Sequence, residues 1–202
     1  MRLSLRQAAD RLEAIRTAEG TPLPDNTRAE LHRFLERLSL VRAQIRAIEQ
    51  ERERRLAAAA AADNGPHAMV RLIARIIGIG VETADMLVHE VLSRELRDDK
   101  AVGRYGGMTG APDESGSKRR EKGLARAGIA RVRRGMIQLA WRWLMFQKNS
   151  ALTQWYLART AGAGPDVRKT MIVALARKLL IALWRYVTTG AVPAGVQLRV
   201  AI

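Results

Sequence analysis

From Leu31 onward, Phe34, Leu38, Val41, Ile45 and Ile48 recur three or four residues apart, and the positions between them are mostly Arg, Glu and Gln. That period lines the apolar side chains along one stripe of an α-helix and is incompatible with a strand, whose sides alternate at every second residue. The stripe reads either as a coiled-coil seam, through which copies of the chain assemble, or as the buried face of one amphipathic helix packed on the rest of the chain. Ala57 to Ala62 extend it with the residue of highest helix propensity, and Asp63-Asn64-Gly65-Pro66 end it. Upstream, residues 2–18 read as a short helix and GTPLPDNT at 20–27 as a turn. The chain thus divides into a helical arm at 1–63, coiled-coil-like from about residue 28, and a second region at 64–202.

Beyond the boundary, helical patterns run at 67–77, 81–96, 129–147, 151–160 and 166–188, with Gly-rich breaks at 103–117 and 161–165. No segment alternates with period two for long enough to predict a strand. The expected fold is mainly α: an N-terminal helical, coiled-coil-like arm followed by a compact helical domain. The apolar stretch from Met171 to Val187 is short and interrupted by Arg177, Lys178 and Arg185, so it predicts a buried helix instead of a membrane span. A peripheral membrane protein would need a cationic amphipathic face, and the helix at 166–188 is apolar nearly all round.

A chain of 202 residues carrying a formal net charge of +15 favours a polyanionic partner. Residues 118–202 hold seventeen Lys and Arg against two Asp and Glu, whereas residues 61–117 hold six against nine. The surplus therefore belongs to the C-terminal part. With no cysteine, disulfides, thiolate zinc sites and cysteine nucleophiles are all excluded. His32, His67 and His89 are far apart in sequence and have no ligand spacing, and the carboxylates suggest no metal site.

Two stretches carry candidate chemistry. The first, Ile76-Ile77-Gly78-Ile79-Gly80-Val81-Glu82-Thr83-Ala84, has the form of a helix-hairpin-helix. Gly78 and Gly80 allow a tight turn and close approach of a phosphate, which the free amides opening the next helix can receive. Such a motif grips the DNA backbone without reading its sequence. An ordinary helix turn with two glycines remains the alternative, and Glu82 and Asp85 would repel a phosphate.

The second stretch is the cluster Lys118, Arg119, Arg120, Lys122, Arg126, Arg131, Arg133 and Arg134, opposed within 118–134 by Glu121 alone. Paired with phosphates it would give salt-sensitive nucleic-acid binding. Ser115 lies just before it. By residue type, Ser115 and Ser117 read as turn or cap residues, since serine is a weak nucleophile without a base and a charge to stabilise the product. The aromatic set Trp141, Trp143, Trp155, Tyr156, Trp184 and Tyr186 falls mostly on apolar helices and predicts core packing, with base stacking as the lesser alternative.

Taken in order, I-I-G-I-G-V-E-T-A at 76–84, Y-G-G-M-T-G-A-P-D-E-S-G-S at 105–117, R-R-E-K-G-L-A-R-A-G at 119–128, V-R-R-G-M-I-Q-L-A-W-R-W-L at 132–144 and I-V-A-L-A-R-K-L-L-I-A-L-W-R-Y-V at 172–187 resemble the C-terminal transposase domain of the bacterial IS110 insertion-sequence family. The resemblance covers roughly residues 30–195. It implies a cytoplasmic bacterial protein acting in DNA transposition and recombination, with DNA and, for some members, a structured guide RNA as partners. It implies assembly into a homo-oligomer through the helical arm. Ser115 matches the serine that attacks a DNA phosphate to form a phosphoserine link.

In the family, metal-binding carboxylates for Mg²⁺ come from a RuvC-like N-terminal domain. This sequence has no counterpart to that domain, so no cofactor is expected on the chain itself. The alternative is a non-catalytic, nucleic-acid-binding or regulatory fragment. Ile129 departs from the family pattern, which favours a polar residue there, commonly Asn. Asp98 and Asp99 occupy a loop that is more basic in the family.

Overall fold

The computed structural model describes residues 5–58, 65–115, 118–124 and 127–199, and of 5–6, 111–115 and 118–124 the backbone alone. The chain forms two compact units, Met1–Ala58 and Ala59–Ile202. The expected boundary at 63/64 lies outside the described residues.

In the first unit, α1 (Leu5–Ala14) packs on α2 (Asp25–Ala58). The turn between them is closed by the Thr17 amide donating to Thr21 O at 2.8 Å and by a bridge between Arg16 and Pro22. His32 Nε2 lies 2.7 Å from Glu13 Oε1 across the two helices, and Leu12 is buried. With 34 residues, α2 extends about 51 Å. None of its residues is buried: Phe34, Leu38, Val41, Ile45 and Ile48 are all exposed. The apolar stripe thus finds no cover within its own unit.

The second unit is built on α8 (Pro165–Thr189), against which α6 (Ala130–Phe146), α7 (Ala151–Thr160), α5 (Asp99–Tyr105) and α3 (Pro66–Ala74) all pack. A helix with neighbours on several sides must be apolar on several sides, which accounts for the composition of 166–188. Ile172, Leu175, Leu179, Leu180 and Leu183 are buried there with Val132, Met136, Leu139 and Trp143 of α6. Each such side chain withdrawn from water contributes roughly 1.5–3 kcal/mol before entropy is counted. Among the described residues no helix is long and apolar enough to cross a membrane.

The helical pattern at 81–96 becomes α4 (Val81–Leu87) and a π-helical turn, Val88–Leu92. Two expectations need correction. The Gly-rich break at 103–117 begins inside α5, and its residues 110–115 form a strand. β1 (Gly110–Ser115) pairs antiparallel with β2 (Lys118–Leu124). The hairpin escaped the periodicity because GAPDES and KRREKGL contain almost nothing apolar to alternate. Its register instead sets opposite charges across the ladder, Glu114 against Arg119 and Asp113 against Arg120.

The two aspartates that depart from the family pattern have structural employment. Asp98 is the N-cap of α5, accepting from the Ala101 amide at 2.7 Å, and Asp99 pairs with Arg185 of α8. That amide, with Arg97 beside it, holds the Asp98 carboxyl below the usual carboxylate range. Ile129 is the N-cap of α6 and supplies no side-chain bond to it.

Candidate nucleic-acid interface

The G-I-G turn does join two helices. Ile76 and Ile79 are fully buried and anchor it from below, while α3 ends before it and α4 begins after it. Its glycines serve different purposes. Gly78 adopts φ +97, and a Cβ there would stand 2.9 Å from Phe146 Cβ, so this position is constrained by conformation and by packing. Gly80 is the extended N-cap of α4, with nothing within 4 Å of where a Cβ would project. The first intrahelical bond runs from the Ala84 amide to Gly80 O at 3.0 Å. The amides of Val81, Glu82 and Thr83 therefore stand outside the helical ladder.

Gln147 holds the turn in place, a role that sequence reasoning missed. Its Nε2 donates to Ile77 O at 2.7 Å and to Gln197 O at 3.0 Å, and its Oε1 accepts from the Gln197 amide at 2.8 Å. The Ile77 amide donates to the same Gln197 O at 3.1 Å, and the Arg199 amide to Arg75 O at 2.7 Å. The C-terminal segment is thereby laced to the hairpin. Behind Gln147, the Trp143 indole donates to Ser150 Oγ at 2.8 Å, and the Ser150 and Thr153 hydroxyls donate to Gln147 O. All these side chains are buried with their polar atoms partnered.

Beside the turn, α4 and α6 enclose a cleft of about 420 Å³ lined by Glu82, Thr83, Met86, Arg131, Arg134 and Arg142, among others. The Met86 methyl packs over Gly135, 2.6 Å from where a Cβ there would stand. The arginines fall at i, i+3 and i+11, and at about 100° per residue they share one face of α6. Arg131 reaches Glu90 Oε1 at 3.4 Å. Three guanidinium groups against Glu82 and Glu90 leave the cleft positive, and Glu82 and Thr83 of the first turn of α4 form part of its lining.

Of the residues expected to contact DNA, Gly80, Arg131 and Arg134 are brought together here, with Gly78 in the same turn. Arg142 joins them unforeseen, although its spacing from Arg131 is helical. Arg133 does not join. It lies on another side of α6, half-buried, with Nη1 buried and unpartnered and 3.1 Å from where a Cβ on Gly107 would stand. Lys118, Arg119, Arg120 and Lys122 form β2, described in backbone alone, and Arg126 lies outside the described residues. Ser115 closes β1 opposite Lys118.

Gly107 and Gly128 bind the two ends of that hairpin segment together. A Cβ on Gly128 would fall 2.6 Å from Gly107 Cα, and both residues have positive φ. The Ile129 amide donates to Tyr105 O across the same junction at 3.3 Å. Arg133 Nη1 is buried against this clasp.

Most of the aromatic set is in the core, as expected: Trp143, Tyr156 and Tyr186 are buried, and Trp155 and Trp184 half-buried. Trp141 is the exception, with 47% of its surface exposed. His67 and His89, distant in sequence, meet edge to face with ring centroids 6.3 Å apart. Among the described residues no three His, Cys, Asp or Glu come together as a metal site.

Residues 70–157, from α3 through the hairpin and the cleft into α7, match the transposase family described as IS116/IS110/IS902. The chain carries a transposase domain of this family. It is also 42% identical over 200 residues to a Sinorhizobium fredii protein named as a transposase, y4rJ, an alignment that takes in 96% of this chain and 50% of that protein. The chain thus spans about half the length of the curated relative it matches. Within the transposase domain lie both the arginine cleft and Ser115.

Proposed function

We propose that this chain is the DNA-holding, serine-bearing part of a DNA transposase. The observation that carries the reading is the cleft itself: Arg131, Arg134 and Arg142 on one face of α6 across from the free amides of α4, inside the segment that matches the transposase family. Guanidinium groups and helix-opening amides are the two donors best suited to phosphate oxygens. They grip the backbone and leave the bases unread.

In this reading Ser115 supplies the nucleophile. Its Oγ forms a bond to phosphorus as its proton passes to a base, the bond from phosphorus to one deoxyribose oxygen breaks, and that oxygen takes a proton from water and leaves as a hydroxyl. The cations of β2 stabilise the charge that develops on the phosphoryl oxygens. A structured RNA is a second polyanion suited to the same charge surplus, and the uncovered stripe on α2 supports assembly of several copies.

Binding of this chain to duplex DNA across a salt series tests the grip. Each of R131A, R134A and R142A should lower the slope of log affinity against log salt by about 0.9, equally for any duplex sequence. The chemistry is tested by incubating the chain with element-end DNA, Mg²⁺, an RuvC-like domain and RNA. A protein–DNA adduct that forms with the wild type and not with S115A supports the serine. An adduct that persists in S115A removes it, and salt-sensitive binding with no adduct leaves a binding protein without chemistry.

A further inference from the structure

Trp141 and Met145 are exposed on α6, by 47% and 66%, in a domain whose other tryptophans are buried or half-buried. They are four residues apart and so lie one above the other on the helix surface. Gln138 and Arg134 continue the same face one and two turns back, and Arg142 flanks it. At about 100° per residue, Trp141 falls on the side of Arg134 away from the cleft, so the arginines form a ridge with the phosphate cleft on one flank and the indole on the other. Trp143, two residues on, shows the contrast: it is 1% exposed and its indole N–H is spent on Ser150.

We infer that Trp141 is a stacking platform for an unpaired base of the nucleic acid whose backbone the ridge holds. The inference rests on the phosphate-binding reading and deepens it. An exposed indole beside Met and a row of guanidinium groups has the combination single-stranded nucleic acid requires: a flat apolar surface for the base and cations for its backbone. Bases inside a duplex are covered by their neighbours, so the platform serves a bulge, a flipped base or a single strand.

The test compares two fluorescent DNA probes at one salt concentration, a duplex and the same duplex with a single bulged base, titrated with the full chain. Wild type should prefer the bulged probe by about tenfold. W141A should abolish the preference and leave duplex affinity unchanged, W141F should retain most of it, and R134A should weaken both probes alike. Three results overturn the stacking inference while sparing the cleft: no wild-type preference, a preference that survives W141A, or W141A altering the oligomeric state and not the preference, which would make the patch a protein contact. A wild type that binds neither probe overturns the phosphate reading together with it.

Discussion

The Gln147 side-chain amide bonds to the backbone of Ile77, seventy residues earlier, and to that of Gln197, fifty residues later. One residue at the end of α6 therefore ties the G-I-G turn to the C-terminal segment.

Replacing Gln147 by Leu roughly keeps the volume and strands the part-buried Ile77 carbonyl and Gln197 amide, while Gln197 O keeps the Ile77 amide. The cost should be about 2–4 kcal/mol, because an orphaned buried polar group forfeits its full hydration. Urea denaturation measures the loss, and amide hydrogen exchange at Ile77 and Ile79 should accelerate more than in α7. Equal protection in the variant would show that the turn does not depend on Gln147.

The two glycines of the turn should separate structure from contact. Gly78→Ala places a side chain in left-handed backbone against Phe146 and should destabilise the fold by about 2–3 kcal/mol. Gly80→Ala meets open space at ordinary φ and should change stability by no more than about 0.5 kcal/mol. If DNA sits on the α4 amides, Gly80→Ala still lowers affinity, which thermal melts paired with binding titrations would separate from misfolding.

The uncovered stripe of α2 predicts self-association. Wild type should sediment as an oligomer, and a variant carrying L38E and I45E as a monomer with unchanged far-UV circular dichroism. A monomeric wild type would remove the assembly role.

The Asp98 carboxyl is held low chiefly by the Ala101 amide, with Arg97 in support. Its pKa is lower folded than unfolded, so its contribution to stability is complete above the unfolded value of about 3.9 and fades as pH falls through the folded value. D98N, which cannot titrate, should lose less stability between about pH 6 and pH 3 than wild type, as read from urea midpoints.

Elements with an apolar face could be read directly. The limits of α7 coincide with the expectation, for Ser150 caps one end and Gly162 follows the other. Charge alone marks Arg131, Arg133 and Arg134 as one cluster, and only the helix shows Arg142 joining Arg131 and Arg134 while Arg133 turns away. The β-hairpin was opaque because backbone pairing and opposed charges leave no trace in hydropathy. Gln147 was opaque for another reason: a lone Gln carries no mark of partners so distant in sequence. Asp98 and Asp99, out of place as DNA contacts, make sense only once the Ala101 amide and Arg185 are beside them. Trp141 lies on an apolar helix beside Ile137 and Leu144, which are only half-buried, and its indole falls outside the buried face.

The clasp between Gly107 and Gly128 makes the intervening segment a cassette. Its two ends already touch, so α5 and α6 stay joined whatever lies between them, and lengthening the insert costs only the slow logarithm of loop closure. Ser115 and the β2 segment from Lys118 are thus carried on a piece that leaves and rejoins the helical body at one point, while Arg131, Arg134 and Arg142 belong to that body. Evolution or an engineer can exchange the one without rebuilding the other.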